Sequence, residues 1–255
     1  MLKICKYVIY DILRSKVLIA YMLFLLAISF SLSSLCGDSV KSYFMVMSVV
    51  LIIVPLISIV FSTTYFYNSY QFIELLVAQP VSRVTLLAGV YTGIAVSLVT
   101  VFALGVGIPV CIYMPDSTGA MLIVSGIALT LTFVSLAFWA SVITRDKARG
   151  IGLSLLLWFY FAVLYDAIVL IVLFAFNEYP LDKVVIALAS LNPIDLSRIL
   201  VLMKLDIAAL MGFTGAVYKQ FLGTMFGLIY AGALLLLWIA LPLGFAFRIF
   251  GRKDL

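Results

Sequence analysis

The chain has 255 residues, 66% of them hydrophobic and 11% charged, with a mean hydropathy of +1.29, far from the roughly 25% charged usage of soluble domains. This excludes a soluble globular domain and indicates an integral membrane protein. The net charge of +5 includes no histidine at all, which removes Ser-His-Asp catalysis, H-E-x-x-H zinc sites and histidine proton relays together.

In chain order, residues 1–16 read MLKICKYVIYDILRSK, with Lys3, Lys6, Tyr10 and Arg14 polar and Cys5, Val8, Ile9, Ile12 and Leu13 apolar at a helical period. That pattern fits a helix lying in the membrane interface, or a plain basic flank to the first membrane crossing. Six apolar runs follow, at 17–35, 43–67, 84–114, 120–143, 151–176 and 221–247. Each is close to or above the about 20 helical residues that cross a bilayer core. Barrel-type alternation is absent, so the fold class is an all-α integral membrane protein of six transmembrane helices. No A-x-A cleavage site follows the first run, which is therefore expected to be a retained anchor.

Charge sets the orientation. The N-terminal segment, residues 68–83, residues 144–150 and the tail from Arg248 fall on one side and hold eleven of the sixteen Lys and Arg residues. By the positive-inside rule that side is cytoplasmic, with both termini on it. The positive charge is thus a topology signal, and no nucleic-acid partner is expected. Pro55, Pro109 and Pro242 predict bends inside spans, and Gly89 with Gly93 and Gly223 with Gly227 predict close helix approach, within one chain or between two. Cys5, Cys36 and Cys111 form no C-x-x-C, and the nine methionines form no M-x-x-M set for copper. Cys36 and Cys111 are expected near the outer ends of the first and third spans, as small hydrophobes rather than a disulfide or metal pair.

Two interruptions and one buried charge stand out. Residues 67–83, YNSYQFIELLVAQPVSR, allow a helix at 68–80 with Asn68 or Ser69 as cap and Pro80 as stop, carrying Phe72, Leu75, Leu76 and Gln79 on one face with Glu74 beside them. Such a helix fits the groove of a soluble partner, or rests on lipid. The outer segment 177–219 is far longer than the usual connection of about 4 to 6 residues. Within it, Asn192 as N-cap, Pro193 at the first helical position and Asp195 in the first turn predict a helix from Pro193 to about Met211, preceded by a shorter one at 181–191. With Arg198 these polar residues argue against a full crossing, so both helices are expected to be interfacial or re-entrant. Asp166 is the only acid well inside a span, with Tyr160 and Tyr165 nearby. A substrate contact, a proton-linked switch and a polar clamp between helices all remain open for it.

No G-x-x-x-x-G-K-[ST] loop is present, so any nucleotide chemistry belongs to a partner. Here the run IELLVAQPVSR, 73–83, between the second and third spans, resembles the coupling helix of ABC-2 type permeases. A second stretch, LNPIDLSRI at 191–199 followed by ALMGFTGAVYKQFLG at 209–223, is similar to the outer segment of NosY-type permeases, which serve nitrous-oxide reductase maturation. The resemblance implies a type V exporter-like fold in the bacterial inner membrane. It implies a homodimer held by a cytoplasmic ATPase subunit (NosF-like), which binds ATP and Mg, and a periplasmic partner (NosD-like). This chain is then a non-catalytic subunit with no cofactor of its own. Phe72, Glu74, Leu75, Leu76 and Arg83 would lie at the ATPase contact, and Asn192, Pro193, Asp195 and Arg198 would begin the helix facing the periplasmic partner. The supposed cargo is a sulfur species or copper, with a mechanical role as a third possibility. An ABC-2 exporter of another substrate, such as a lipid or drug, is the alternative.

Overall fold

The computed structural model describes residues 2–35, 39–70, 72, 75, 82–144, 146–176, 182–204 and 225–252. Among the described residues, six helices are long and apolar enough to cross a membrane. Helix α1 (Leu2–Leu13) precedes span 1, which is α2 (Lys16–Leu35). Span 2 is α3 (Ser39–Asn68). Span 3 is α4 (Arg83–Phe102) continued through a π-helical turn, Ala103–Gly107, into α5 (Ile108–Tyr113), and span 4 is α6 (Ser117–Ile143). Span 5 is α7 (Lys147–Phe159), a second π turn at Tyr160–Leu164, and α8 (Tyr165–Ala175). Two short helices follow, α9 (Asp182–Ser190) and α10 (Pro193–Leu202), before span 6, α11 (Met225–Arg252).

Local chemistry accounts for several of these boundaries. Ser82 is the N-cap of span 3, its hydroxyl accepting from the Thr85 N–H at 3.2 Å, and Asp146 caps span 5 through the Ala148 N–H at 3.1 Å. Pro109 has no N–H to return to the preceding turn, and the π turn just before it widens the helix there. Within that turn Gly105 brings span 3 against span 1, where an added Cβ would sit 2.8 Å from that of Leu25. The helices of spans 2 and 6 run through Pro55 and Pro242. Cys111 at the far end of span 3 is exposed and Cys5 half-buried; Cys36 lies outside the described residues.

The core lies around spans 3 and 4. In their most apolar stretches 61% and 67% of residues are buried, against 11% and 17% in spans 5 and 6. Phe102, Phe133 and Phe138 are among the largest fully buried side chains. Gly126 of span 4 leaves room for the Phe102 ring, and Phe138 takes Phe66 and Tyr91 edge-on, with centroids 5.5 and 5.4 Å away. Helix α1 is packed along span 3, with Val8 and Ile12 buried. Gly93 makes this possible, because a Cβ there would lie 2.5 Å from Val8 Cγ1. For Gly93, the close approach predicted by the glycine spacing is therefore within the chain. Gly223 lies outside the described residues.

Candidate coupling and re-entrant sites

The face that carries α1 also gathers the ends of spans 2, 4 and 5. Span 2 stops at Asn68, with a turn at Ser69 and helical backbone again at Tyr70, Phe72 and Leu75. Tyr65 donates to Asp11 Oδ2 of α1 at 2.9 Å. Tyr67 lies under Gly150, which has no Cβ to meet its ring, and its hydroxyl bonds the end of span 4 at Thr144 and Ser141. Lys147 Nζ donates to Asn68 Oδ1 at 2.8 Å. These contacts brace the base from which residues 71–81 depart.

Of the residues expected at an ATPase contact, Phe72 is half-buried and stacks on Tyr7 of α1, ring centroids 5.3 Å apart and planes 26° apart. Leu75 is 70% exposed. Arg83 stands half-buried in the first turn of span 3, directly after its cap. Glu74, Leu76, Gln79 and Pro80 lie outside the described residues. The Tyr7–Phe72 pair could not be read from the sequence, since nothing local links two rings so far apart in the chain.

On the opposite face, the structure joins residues that the sequence left separate. Asn192 Oδ1 accepts the Ile194 N–H at 3.0 Å with Pro193 at the first helical position, the cap that the sequence predicts. Its amide group does more, donating to the Phe161 carbonyl at 3.0 Å and to Asp195 Oδ2 at 3.1 Å. The π turn explains the availability of that carbonyl. Tyr165 sends its N–H back to Tyr160 O, so Phe161 O loses its usual α-helical donor and takes a side-chain amide instead. Arg198 then bridges two carboxylates, 3.2 Å to Asp166 Oδ2 and 3.0 Å to Asp195 Oδ1. The ion pair thus links Asp166 of span 5 to α10.

Depth follows from counting. Phe161 lies about 21 Å along span 5 from Lys147, and Trp238 about 20 Å along span 6 from Gly251, at roughly 1.5 Å per residue. Both are near mid-span, and Trp238 Nε1 donates to Ser190 O at 3.3 Å. At the other end of α10, Lys204 O accepts from Thr118 in the first turn of span 4, at 3.4 Å. The Ser190–Asn192 junction of α9 and α10 therefore packs at mid-length of spans 5 and 6, the placement expected of a re-entrant pair. Buried contacts with neighbouring spans satisfy the interrupted backbone at that depth. Asn192 is fully buried and Pro193 is buried too. Asp195 and Arg198 keep 13% and 35% of their side chains exposed. Helix α10 ends at Leu202 with a turn at Met203 and Lys204, shorter than the Met211 end expected, because the Lys204 N–H closes back on Val201 O. Residues 205–224 lie outside the described residues.

Among the described residues no group of three or more His, Cys, Asp or Glu side chains is placed to hold a metal ion. Comparison with known proteins agrees with the six-helix architecture. Residues 52–255 match the family described as ABC-2 family transporter protein. A similar relative is the probable ABC transporter permease protein NosY of Pseudomonas aeruginosa, 29% identical over 145 residues. That match spans about half of each protein, 53% of this chain and 53% of the relative. With most of its length matched, including spans 3 to 6 and the re-entrant pair, the chain belongs to the ABC-2 transporter family.

Proposed function

We propose that this ABC-2 permease couples ATP hydrolysis by a separate cytoplasmic ATPase subunit to periplasmic maturation of the copper sites of nitrous-oxide reductase. The observation that carries this reading is the likeness to a NosY-named permease, together with the LNPIDLSRI segment at 191–199. In this reading the face bearing α1 is cytoplasmic, in the bacterial inner membrane, and two copies of the chain form the transporter. ATP and Mg belong to the NosF-like partner, which engages the segment around Phe72, Glu74, Leu75, Leu76 and Arg83. The exposed Leu75 offers an apolar contact, while the stack of Phe72 on Tyr7 passes movement into α1 and so to span 3. On the outer side a NosD-like protein reads the position of the re-entrant pair. The action on it is mechanical or delivers a sulfur species, because the chain has no histidine and no methionine cluster suited to copper.

The second reading, an ABC-2 exporter of a lipid or drug, rests on the family match alone. Purification of the tagged full chain from its native membrane separates the two. Recovery of both an ATPase and a periplasmic protein, with loss of nitrous-oxide reductase copper in a deletion strain, is the expected result. Recovery of an ATPase alone, with reductase maturation intact, would leave the general exporter.

A further inference from the structure

A cavity of about 610 Å³ opens between the end of α1, the start of span 1 and the last turns of span 2. It is polar at one end and apolar at the other. Asp11, Arg14, Asn68 and Ser69 line the end at the membrane surface, whereas Val17, Ile57, Val60 and Phe61 line the deeper part. From Ser69 to Ile57 along span 2 is about 18 Å at roughly 1.5 Å per residue. The cavity therefore runs from the interface well into one leaflet, on the side of the membrane that carries α1.

The charges at its mouth are specific. Asp11 and Arg14 are three residues apart, so both reach the same side of the chain as it turns into span 1. Asp11 is steadied by Tyr65, and Arg14 by the Tyr10 ring beneath it, 4.0 Å from the guanidinium carbon to the centroid. A carboxylate accepts at about four lone-pair positions, of which the Tyr65 bond uses one. The Asp11–Arg14 pair thus offers one acceptor for a cation and one donor for an anion, and Lys147, bonded to Asn68 at the rim, adds a further positive charge.

We propose that this cavity is a binding site for a zwitterionic phospholipid with a primary ammonium, phosphatidylethanolamine being the chemical type. Its ammonium bonds to Asp11, its phosphate to Arg14, and one acyl chain lies along Val17, Ile57, Val60 and Phe61. Phosphatidylcholine has no N–H to donate to Asp11. Phosphatidylglycerol has no cation, so it can offer that carboxylate only neutral hydroxyl donors, which are weaker than an ammonium. The bound lipid fills the space between α1 and span 2 beside the segment that carries Phe72. This inference does not depend on the nitrous-oxide reading.

The test uses the purified full-length chain, stripped of lipid in mild detergent and incubated with equal amounts of phosphatidylethanolamine, phosphatidylcholine and phosphatidylglycerol of identical acyl chains. Retained lipid is read by native mass spectrometry. We expect phosphatidylethanolamine to exceed phosphatidylcholine roughly fivefold, the order supplied by one charge-assisted hydrogen bond at a partly exposed site. Asp11→Asn keeps an acceptor for Tyr65 but removes the charge, and should abolish that preference. Arg14→Gln should lower retention of all three, and Lys41→Gln, at the opposite end of span 2, should change nothing. Equal retention of the ethanolamine and choline lipids, a preference for phosphatidylglycerol, or an undiminished preference in Asp11→Asn would overturn the proposal. Should Asp11→Asn not fold, displacement from the wild-type chain decides: lyso-phosphatidylethanolamine must compete better than its choline counterpart, and equal competition refutes the site.

Discussion

The two polar regions of this permease are built on opposite principles. At the re-entrant joint, Asn192 is fully buried with three hydrogen bonds, and Arg198 bridges two carboxylates. Every member depends on the others, so the joint behaves as one rigid unit. On the face bearing α1, apart from the Tyr67 hydroxyl that ties span 2 to the end of span 4, the contacts described above are single and lie near the surface: one ring stack, one tyrosine–aspartate bond and one lysine–asparagine bond. Each can break without stranding the rest. The comparison teaches where movement can enter and where it is resisted. A segment tied by one aromatic contact can shift at small cost, whereas the joint moves as a body or not at all.

The sharpest way to break that contrast is at Asn192. Replacement by alanine removes the α10 cap, about 1 kcal/mol, and leaves the Phe161 carbonyl without its side-chain donor at a buried position, about 2 kcal/mol more. Thermal unfolding of the detergent-purified chain should show a loss near 3 kcal/mol in total. Asn192→Asp should do no better, since it can cap but cannot donate and adds a charge beside Asp195. Next in size is Arg198→Leu, which leaves Asp166 and Asp195 facing each other. Breaking a fully buried pair costs about 3 to 5 kcal/mol, but the Arg198 and Asp166 side chains are each a third exposed, so about 2 kcal/mol is expected. Combining it with Asp166→Asn should recover part of that loss. Simple additivity would show that the pair is not coupled.

The ease of reading these regions from the sequence differs for the same physical reason. A helix in lipid must satisfy its own backbone, so each crossing leaves a long apolar run, and all six spans were visible on that basis. The Asn192–Pro193 start of α10 was visible too, because capping involves neighbours in sequence. The union of Asp166 with Arg198 was not, although both residues stood out singly, because it depends on how far a re-entrant helix descends. The π turn at Tyr160–Leu164 has no proline to announce it. Its signal lies in the partner, an asparagine amide that needs an acceptor once buried. On the other face, Gly93 was marked as a close-approach residue, but its occupant, Val8, comes from a separate helix and only the fold identifies it.

Gly93 gives the next prediction. A leucine there meets Val8 and the Cys5 carbonyl, and such overpacking costs about 1 to 3 kcal/mol. Because α1 rests on the outside of span 3, it should lift away locally rather than unfold the bundle. Hydrogen exchange of residues 2–13 should rise sharply while spans 4 to 6 keep their protection. An equal rise everywhere would mean that α1 belongs to the core unit, and the contrast between the two faces would fail.

The smallest expected effect on stability is at Phe72, and it is the most informative about coupling. Phe72→Ala removes one stacked pair, worth about 1 kcal/mol, at a half-buried position. The unfolding temperature should therefore barely move. If the segment passes force through Tyr7 into α1, the same change should still lower the stimulated ATPase activity of the assembled transporter, and Tyr7→Ala should reproduce it. Leu75→Glu separates contact from transmission: its side chain is 70% exposed, so it should weaken ATPase binding without disturbing exchange in α1. Phe72→Ala should do the reverse, retaining the partner while loosening α1. The two variants are thus expected to lose the same activity by different routes, and identical binding and exchange profiles for both would remove the relay from Phe72 to Tyr7.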